Sequence, residues 1–406
     1  MWPASIRPEE TDRVCVEELD ELAEPTVPQV LAPRGPTHNV ATPLSWYLLV
    51  NRTMTQTINH NLKLPTETVA EVRNFTIGNR RYLGAKTKLL PSIERVIVDR
   101  LGRIPTSFFD AFAGSGVVGA LFASLGSRVI MNDLLAHNAL AHQTFLLHKQ
   151  YSEASLLDHL HMMSNLPPVS GYITETFGGK YFSENNARKL DAWREYIESY
   201  DFDNAMEAAL VTCVLYAADK VAQTVGHYDA YFASNQIVRG VDLRFPAPIG
   251  TGEGHLVLNK DANLVIQEHE VEVLYLDPPY NSRQYSDNYH VVENIARWEK
   301  PEVRGVSRKM DRTGMKSRFS GRQAAEAFKE LIIGAKAKLI VLSYSNTGTS
   351  RVSRSNNVLS DEYIVTVLKD KGRVDIQEID FKEFSVGRTS HRTHRERLFI
   401  CEVGTP

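Results

Sequence analysis

The feature that most constrains this 406-residue chain is a strand–glycine–helix–strand unit near its first third. Ser107-Phe108-Phe109-Asp110-Ala111-Phe112 reads as a buried strand. It runs into Gly114-Ser115-Gly116-Val117-Val118-Gly119, a G-x-G-x-x-G that opens an apolar, helix-like stretch from Val117 to Leu125. A second strand, Arg128 to Met131, ends in Asn132-Asp133. Glycines placed this way permit a tight turn and the close approach of a nucleotide-like ligand. Asp133 lies about 20 residues past Gly114, where an acid meets the ribose hydroxyls of a bound nucleoside. Taken alone, the fingerprint fits a nicotinamide dinucleotide enzyme and an S-adenosylmethionine enzyme equally well.

A second apolar run, Val271 to Leu276, meets Asp277-Pro278-Pro279-Tyr280. Two adjacent prolines neither continue a strand nor enter a helix interior, so the chain turns here. The turn brings a carboxylate, an aromatic ring and rigid backbone carbonyls to a strand's C-terminal end. That is the edge at which open α/β sheets bind ligands. The set suits a planar base with an exocyclic amine: acceptors take the amine hydrogens and the ring stacks on the base face. The competing reading is a structural turn with a capping Asp.

Composition bounds the rest. With 43% hydrophobic residues the chain can build one large core plus a subdomain, or two domains. Its net charge of −3 does not announce a nucleic-acid partner, so any such contact rests on local basicity. Cys15, Cys213 and Cys401 are far apart and lack C-x-x-C spacing, which argues against a disulfide framework or a zinc site and fits a reducing cytoplasm. The histidines show no metal-ligand spacing, so no metal is expected. The acidic, proline-bearing start is unlike a signal peptide. The most apolar long segment, Ala205 to Val225, holds Glu207, Asp219 and Lys220 and reads as a buried helix rather than a membrane span.

Residues 1–75 read as a partly flexible acidic extension, with eight acids and two arginines between Met1 and Val30. Leu89 to Leu101 reads as a helix. Residues 135–254 form an insert with helical patterns at Leu134 to Tyr151, Asn185 to Tyr200 and Asn204 to Val225. The core, residues 76–134 and 255–406, resumes with a short strand, Leu256-Val257-Leu258, leading to Asp261. Tyr289 to Trp298 and Ala324 to Ile333 read as helices, and Lys338 to Tyr344 and Leu398 to Val403 as strands. Strands alternating with helices indicate an α/β sheet with helices on both faces.

The pattern resembles the amino-methyltransferases of DNA, in particular the Dam-like, alpha-group adenine methyltransferases. Arg81-Tyr82-Leu83-Gly84-Ala85-Lys86-Thr87-Lys88-Leu89-Leu90 is similar to the family's N-terminal motif, Asp110 to Gly116 to its cofactor loop, and Asp277 to Tyr280 to its catalytic motif. The stretch from Asp277 through Asn281-Ser282-Arg283-Gln284-Tyr285-Ser286-Asp287-Asn288-Tyr289-His290 resembles methyltransferases of type IIS, FokI-type restriction systems. Similarity covers roughly Asn79 to Cys401. The resemblance implies a Rossmann-like, S-adenosylmethionine-dependent sheet with a mainly helical DNA-recognition subdomain inserted. It implies transfer of a methyl group to the exocyclic amine of adenine in double-stranded DNA, with no metal. It also implies a restriction-modification setting with a separately encoded endonuclease as partner.

Roles carry over residue by residue. Asp277 and the carbonyl of Pro278 would accept the amine hydrogens. Pro279 would stiffen the turn and Tyr280 would stack on a base flipped out of the duplex. Lys86 would pair with the cofactor's methionine carboxylate, Tyr82 packing beside it; the bland alternative is a solvated lysine. Asp110 would accept from the cofactor's amino group, with Phe112, Gly114 and Gly116 shaping the turn. Asp133 would meet the ribose, or serve as an N-cap, and Asp261 would face the adenine.

DNA contact is expected from the basic run Val303 to Arg322, which holds Arg304, Arg308, Lys309, Arg312, Lys316, Arg318 and Arg322 against one acid, Asp311. A second cluster comprises Arg388, Arg392, Arg395 and Arg397 with His391 and His394. The competing reading of both is a solvated charge run. Arg283 and Gln284 would hold the gap left by the flipped base or contact phosphates, with packing the alternative; Arg239 and Arg244 are weaker candidates for reading guanine. Three other functions stay open: the same chemistry on RNA, a nicotinamide dehydrogenase, and a non-catalytic nucleic-acid-binding protein with a relict cofactor site.

Overall fold

The structure, a computed structural model, describes residues 74–232, 239–249, 252–279, 282–345, 359–381 and 394–404. The acidic extension expected over residues 1–75 therefore lies outside the described residues, save Asn74 and Phe75. These two pair with Phe245–Pro246 in a short parallel ladder. Tyr280, Arg388, His391 and Arg392 also lie outside.

Seven strands make one sheet: β1 (Ser107–Asp110), β2 (Arg128–Asn132), β3 (Leu256–Leu258), β4 (Glu270–Leu276), β5 (Lys336–Ser345), β6 (Gly372–Phe381) and β7 (His394–Val403). Their order is β3-β2-β1-β4-β5-β7-β6. Every pair from β3 through β5 is parallel, and β7 runs antiparallel to both of its neighbours. The chain builds outward from β1 through β2 to β3, then crosses back to β4 and builds the other way. The switch point is thus the gap between the C-terminal ends of β1 and β4, where Asp110 is in register with Tyr275.

The central strands are apolar because both faces are covered. Alternate side chains enter two separate cores, as the two-residue period of a strand requires. Phe108, Val129, Val273, Tyr275 and Val341 join one cluster; Phe109, Ile130, Leu274, Leu276 and Leu342 join the other. Helices Ala324–Gly334 and Asp361–Lys369 contribute to the second cluster, and Leu90–Leu101 and Val117–Ser124 to the first.

Between β2 and β3 the described chain is mainly helical, with Ala136–Leu146, Glu153–Ser164, Tyr172–Phe177, Glu184–Glu198 and Asn204–Val221. The second and third of these were not evident in the sequence pattern. Phe145, Phe177, Trp193 and Leu210 belong to the same apolar cluster as Phe108 and Val129 of the sheet. These helices therefore share the core on one face of the sheet. The start of Ala136–Leu146 lacks a side-chain cap of its own. Glu293, from helix His290–Arg297, supplies it by accepting from the N–H groups of Ala136 (2.9 Å) and His137 (3.0 Å). Among the described residues, no helix is long and apolar enough to cross a membrane.

Candidate active site

The glycine turn is built by close packing. Gly114 (φ +52°) and Gly116 (φ +78°) are both left-handed. A Cβ on Gly114 would sit 2.9 Å from the Tyr82 ring, and one on Gly116 would sit 2.6 Å from Ile77. A Cβ on Gly119 would sit 2.6 Å from Met131, so the third glycine lets helix Val117–Ser124 lie against β2. Asn132, at the end of β2, ties three strand ends together. Its amide donates to the carbonyls of Ala111 (3.1 Å) and Lys260 (3.0 Å), and its oxygen accepts from Lys260 N (3.2 Å).

Above these strand ends lies an open cleft of about 880 Å³, measured with its solvent-facing mouth. Its lining includes Tyr82, Lys86, Asp110, Phe112, Gly114, Asp133, Asp261, Asp277, Pro279 and Gln284. All three motifs therefore meet at one sheet edge, although Lys86 and Asp277 are far apart in the chain. Pro278, between Asp277 and Pro279, is buried.

The charges converge on Lys86, whose side chain is 7% exposed. Its Nζ lies 2.8 Å from Asp277 Oδ1, 3.4 Å from Glu396 Oε1 and 3.2 Å from the Gly84 carbonyl. An ammonium has three donors, and protein acceptors surround all three here. Lys86 is thus not a solvated lysine; it is the counter-ion of the D-P-P acid. Burial pushes the Asp277 carboxyl up to about 6, with Lys86 opposing the rise and Glu396 adding to it.

Asp110 is almost wholly buried, and its Oδ2 accepts from Gly119 N at 3.2 Å. Its Oδ1 is buried and has no hydrogen-bond partner among the described residues. Burial first, then the charge of Asp277, pushes its carboxyl up to about 8. Asp133 accepts from Gly114 N and Leu135 N, both at 2.8 Å, and so braces the glycine turn while facing the cleft. It is not the N-cap of Ala136–Leu146, which is Leu135. Asp261 caps the short helix Ala262–Val265 through Asn263 N (2.9 Å) and also lines the cleft.

Tyr82 packs in a group of three tyrosines that its motif does not reveal. Its ring stacks on Tyr289 (4.8 Å, 7°) and Tyr285 (5.6 Å, 25°). The Tyr289 hydroxyl accepts from Leu83 N at 2.7 Å. The helical turns that follow the proline pair thereby clamp the N-terminal motif over the glycine turn. The four-residue spacing of Tyr285 and Tyr289 places both on one helical face, the available signal for this role. Phe112 meets Phe319 edge-on (4.9 Å, 76°), and Met315, Ser317 and Phe319 also line the cleft. A segment read for its basic residues thus contributes a wall of the site.

The basic run is much less free than its composition implies. Lys309 pairs with Asp229 (2.7 Å) and Asp287 (3.6 Å), Arg312 with Asp287 (2.8 Å), and Arg318 with Glu330 (2.8 Å). Arg304 pairs with Glu302 (3.2 Å). Arg308 and Lys316 are exposed. Gln284 holds Ser317 through two hydrogen bonds to its backbone (2.8 and 3.0 Å). Arg283 beside it is exposed. Arg397, assigned to the second basic cluster, is buried on β7 and donates to Asp361 and to the Ser345 carbonyl (3.1 Å). Except for Arg304, whose partner Glu302 is two residues away, acids or carbonyls more distant in sequence supply the partners that local composition lacks.

A mostly parallel seven-stranded sheet with an acid-lined cleft at its switch point is consistent with a methyltransferase fold. The chain belongs to the D12 class N6 adenine-specific DNA methyltransferase family, whose profile matches residues 82–354. It is 29% identical over 346 residues to Type II methyltransferase M.NlaIII of Neisseria lactamica, an alignment covering 79% of this chain and 98% of that one. It is 28% identical over 346 residues to Modification methylase StsI of Streptococcus sanguinis (79% of this chain, 52% of that one). It is 26% identical over 343 residues to Type II methyltransferase M.FokI of Planomicrobium okeanokoites (78% and 51%). The chain thus spans about half the length of StsI and FokI and nearly all of NlaIII. The family expected from the three motifs, including the likeness to FokI, is the family found.

Proposed function

We propose that this chain transfers a methyl group from S-adenosylmethionine to the exocyclic amine of adenine within a defined sequence of duplex DNA. We further propose that it acts as the modification enzyme of a restriction-modification system with a separately encoded endonuclease. The observation that carries the reading is the ion pair between buried Lys86 and Asp277 in the lining of the glycine-turn cleft. An aromatic amine is a weak nucleophile because its lone pair is conjugated into the ring. A fixed carboxylate accepting one of its hydrogens raises electron density on nitrogen. Lys86 favours the ionised form of Asp277 against the burial that would neutralise it. The Pro278 carbonyl takes the second amine hydrogen, and Pro279 stiffens the turn. Tyr280 stacks on a base flipped from the helix. Positioning and preorganised electrostatics supply the rate.

The cleft fits the cofactor. The Asp110 Oδ1, which has no hydrogen-bond partner among the described residues, is a buried acceptor suited to an ammonium group. Asp133 and Asp261 line the cleft and would meet the ribose and the adenine, with Phe112 and Gly114 in the lining between and Gly116 turning the loop behind them. When bound, S-adenosylmethionine supplies an electrophilic methyl group. Residues 135–254 are proposed as the target-recognition part, and exposed Arg283, Arg308 and Lys316 as phosphate contacts.

The test is transfer of labelled methyl to mixed-sequence duplex DNA, with structured RNA as control and nucleoside analysis of the product. Label in 6-methyladenine from DNA is expected; label in RNA alone would reassign the substrate. D277A should abolish transfer while retaining cofactor binding, and full activity in that variant would sink the mechanism.

A further inference from the structure

We propose that Glu396, on the antiparallel strand β7, is a positioning residue for methyl transfer, acting on Asp277 through the lysine that the two acids share. The inference rests on the function proposed above and adds a residue outside its three motifs.

The geometry is specific. Asp277 follows β4, Ser343 lies on β5 and Glu396 on β7, three adjacent strands. Because β7 runs opposite to the others, its first residues emerge at the sheet edge where β4 and β5 end. Ser345 is in register with Glu396 there. Glu396 is 7% exposed. Its Oε1 accepts from Ser343 Oγ at 2.7 Å and lies 3.4 Å from Lys86 Nζ. Lys86 Nζ in turn lies 2.8 Å from Asp277 Oδ1. Fixed by Ser343, Glu396 holds the ammonium from one side while Asp277 holds it from the other.

The chemistry follows from charge. One cation between two carboxylates leaves a net negative charge in a poorly solvated site. Glu396 draws part of the ammonium's field away from Asp277 and so keeps Asp277 a better hydrogen-bond acceptor than an exclusive ion pair would allow. Among the described residues, the titratable groups facing this network are Lys86, Asp277 and Glu396 themselves, Asp110 on β1 and the buried Tyr275 hydroxyl on β4. Removing the charge of Glu396 should therefore make Asp277 less basic. That weakens its acceptance from the amine and moves the acid limb of the rate to lower pH.

The experiment compares wild-type protein with E396Q and E396D in single-turnover methyl transfer to substrate DNA across pH, at saturating S-adenosylmethionine. Binding of S-adenosylhomocysteine and of DNA is measured alongside. For E396Q the plateau rate should fall about tenfold, a modest part of what a positioned acid–base group contributes. The acid limb should shift downward and both dissociation constants should stay within about twofold, well under the ~1.4 kcal/mol of a tenfold change. E396D keeps the charge at greater distance and should fall between the two proteins in rate and limb. It gives the same reading if E396Q does not fold. An unmoved limb in folded E396Q overturns the proposal, as does an E396D protein identical to wild type. Wild-type protein inactive on DNA would instead remove the underlying function, and the two failures are distinct.

Discussion

At the scale of single residues, the site turns on two acids held in opposite ways. Among the described residues, Asp277 has a lysine against it and Asp110 has none. If Asp277 must be ionised to accept from the amine, activity should fall as pH drops through about 6, where its carboxyl titrates. Lys86 opposes the upward shift, so K86M should lose rate and move that limb upward by ~1–3 pH units. A pH–rate profile checks both, and its direction is opposite to that expected for E396Q. Asp110 titrates near 8 in the ligand-free protein, so at pH 7 it is largely protonated. A bound ammonium group favours the carboxylate and lowers that value, so cofactor binding near neutral pH should release a proton. Calorimetry in buffers of different ionisation enthalpy measures it; D110N should bind more weakly and release none.

At the scale of elements, the site is held by contacts that cross from one helix or loop to another. Glu293 is fully buried. Burial alone would raise its carboxyl, yet the hydrogen bond and charge of His137, the His137 N–H and Arg297 hold it down at about 2. Its stabilisation is thus present above the ordinary glutamate range and is lost as pH falls towards 2. E293A leaves two helix N–H groups and a buried histidine without their acceptor, and should cost ~3–5 kcal/mol. Urea denaturation would read this loss, and an unchanged midpoint and slope would contradict it. The Gln284–Ser317 clamp has a different consequence. Q284A removes two hydrogen bonds, ~1–3 kcal/mol, from the segment that brings Met315, Ser317 and Phe319 to the cleft. It should weaken substrate binding more than global stability, which parallel binding and unfolding measurements would show.

At the scale of the molecule, the distribution of charge separates basic residues that brace the fold from those that face solvent. R308A and K316A should each lower DNA affinity across sequences and reduce the salt dependence of binding by about one unit of slope. Lys309, Arg312 and Arg318 already face acids, so their replacement should disturb the segment's structure more than the slope. Titrations over a range of salt decide between the two groups.

Much of this molecule was legible in the chain itself. The strands around Gly114 and before Asp277 could be read because both faces of a parallel sheet are buried, which demands uninterrupted apolar runs. The three motifs could be read because tight turns restrict residue choice: Gly114 and Gly116 are left-handed, and paired prolines must end a strand. These local requirements determined the family and the core of the cleft. They did not show strand β6, a partly exposed edge strand whose polar residues mask its period, or the helix Asp361–Lys369 before it. Nor did they show which charges meet. Lys86 finds Asp277 and Glu396, the basic run finds Asp229, Asp287 and Glu330, and Tyr82 finds Tyr285 and Tyr289. Only the tertiary structure decided those pairings, because a side chain's partner depends on which strands and helices the crossovers bring side by side. Residue type and local spacing carry no record of that.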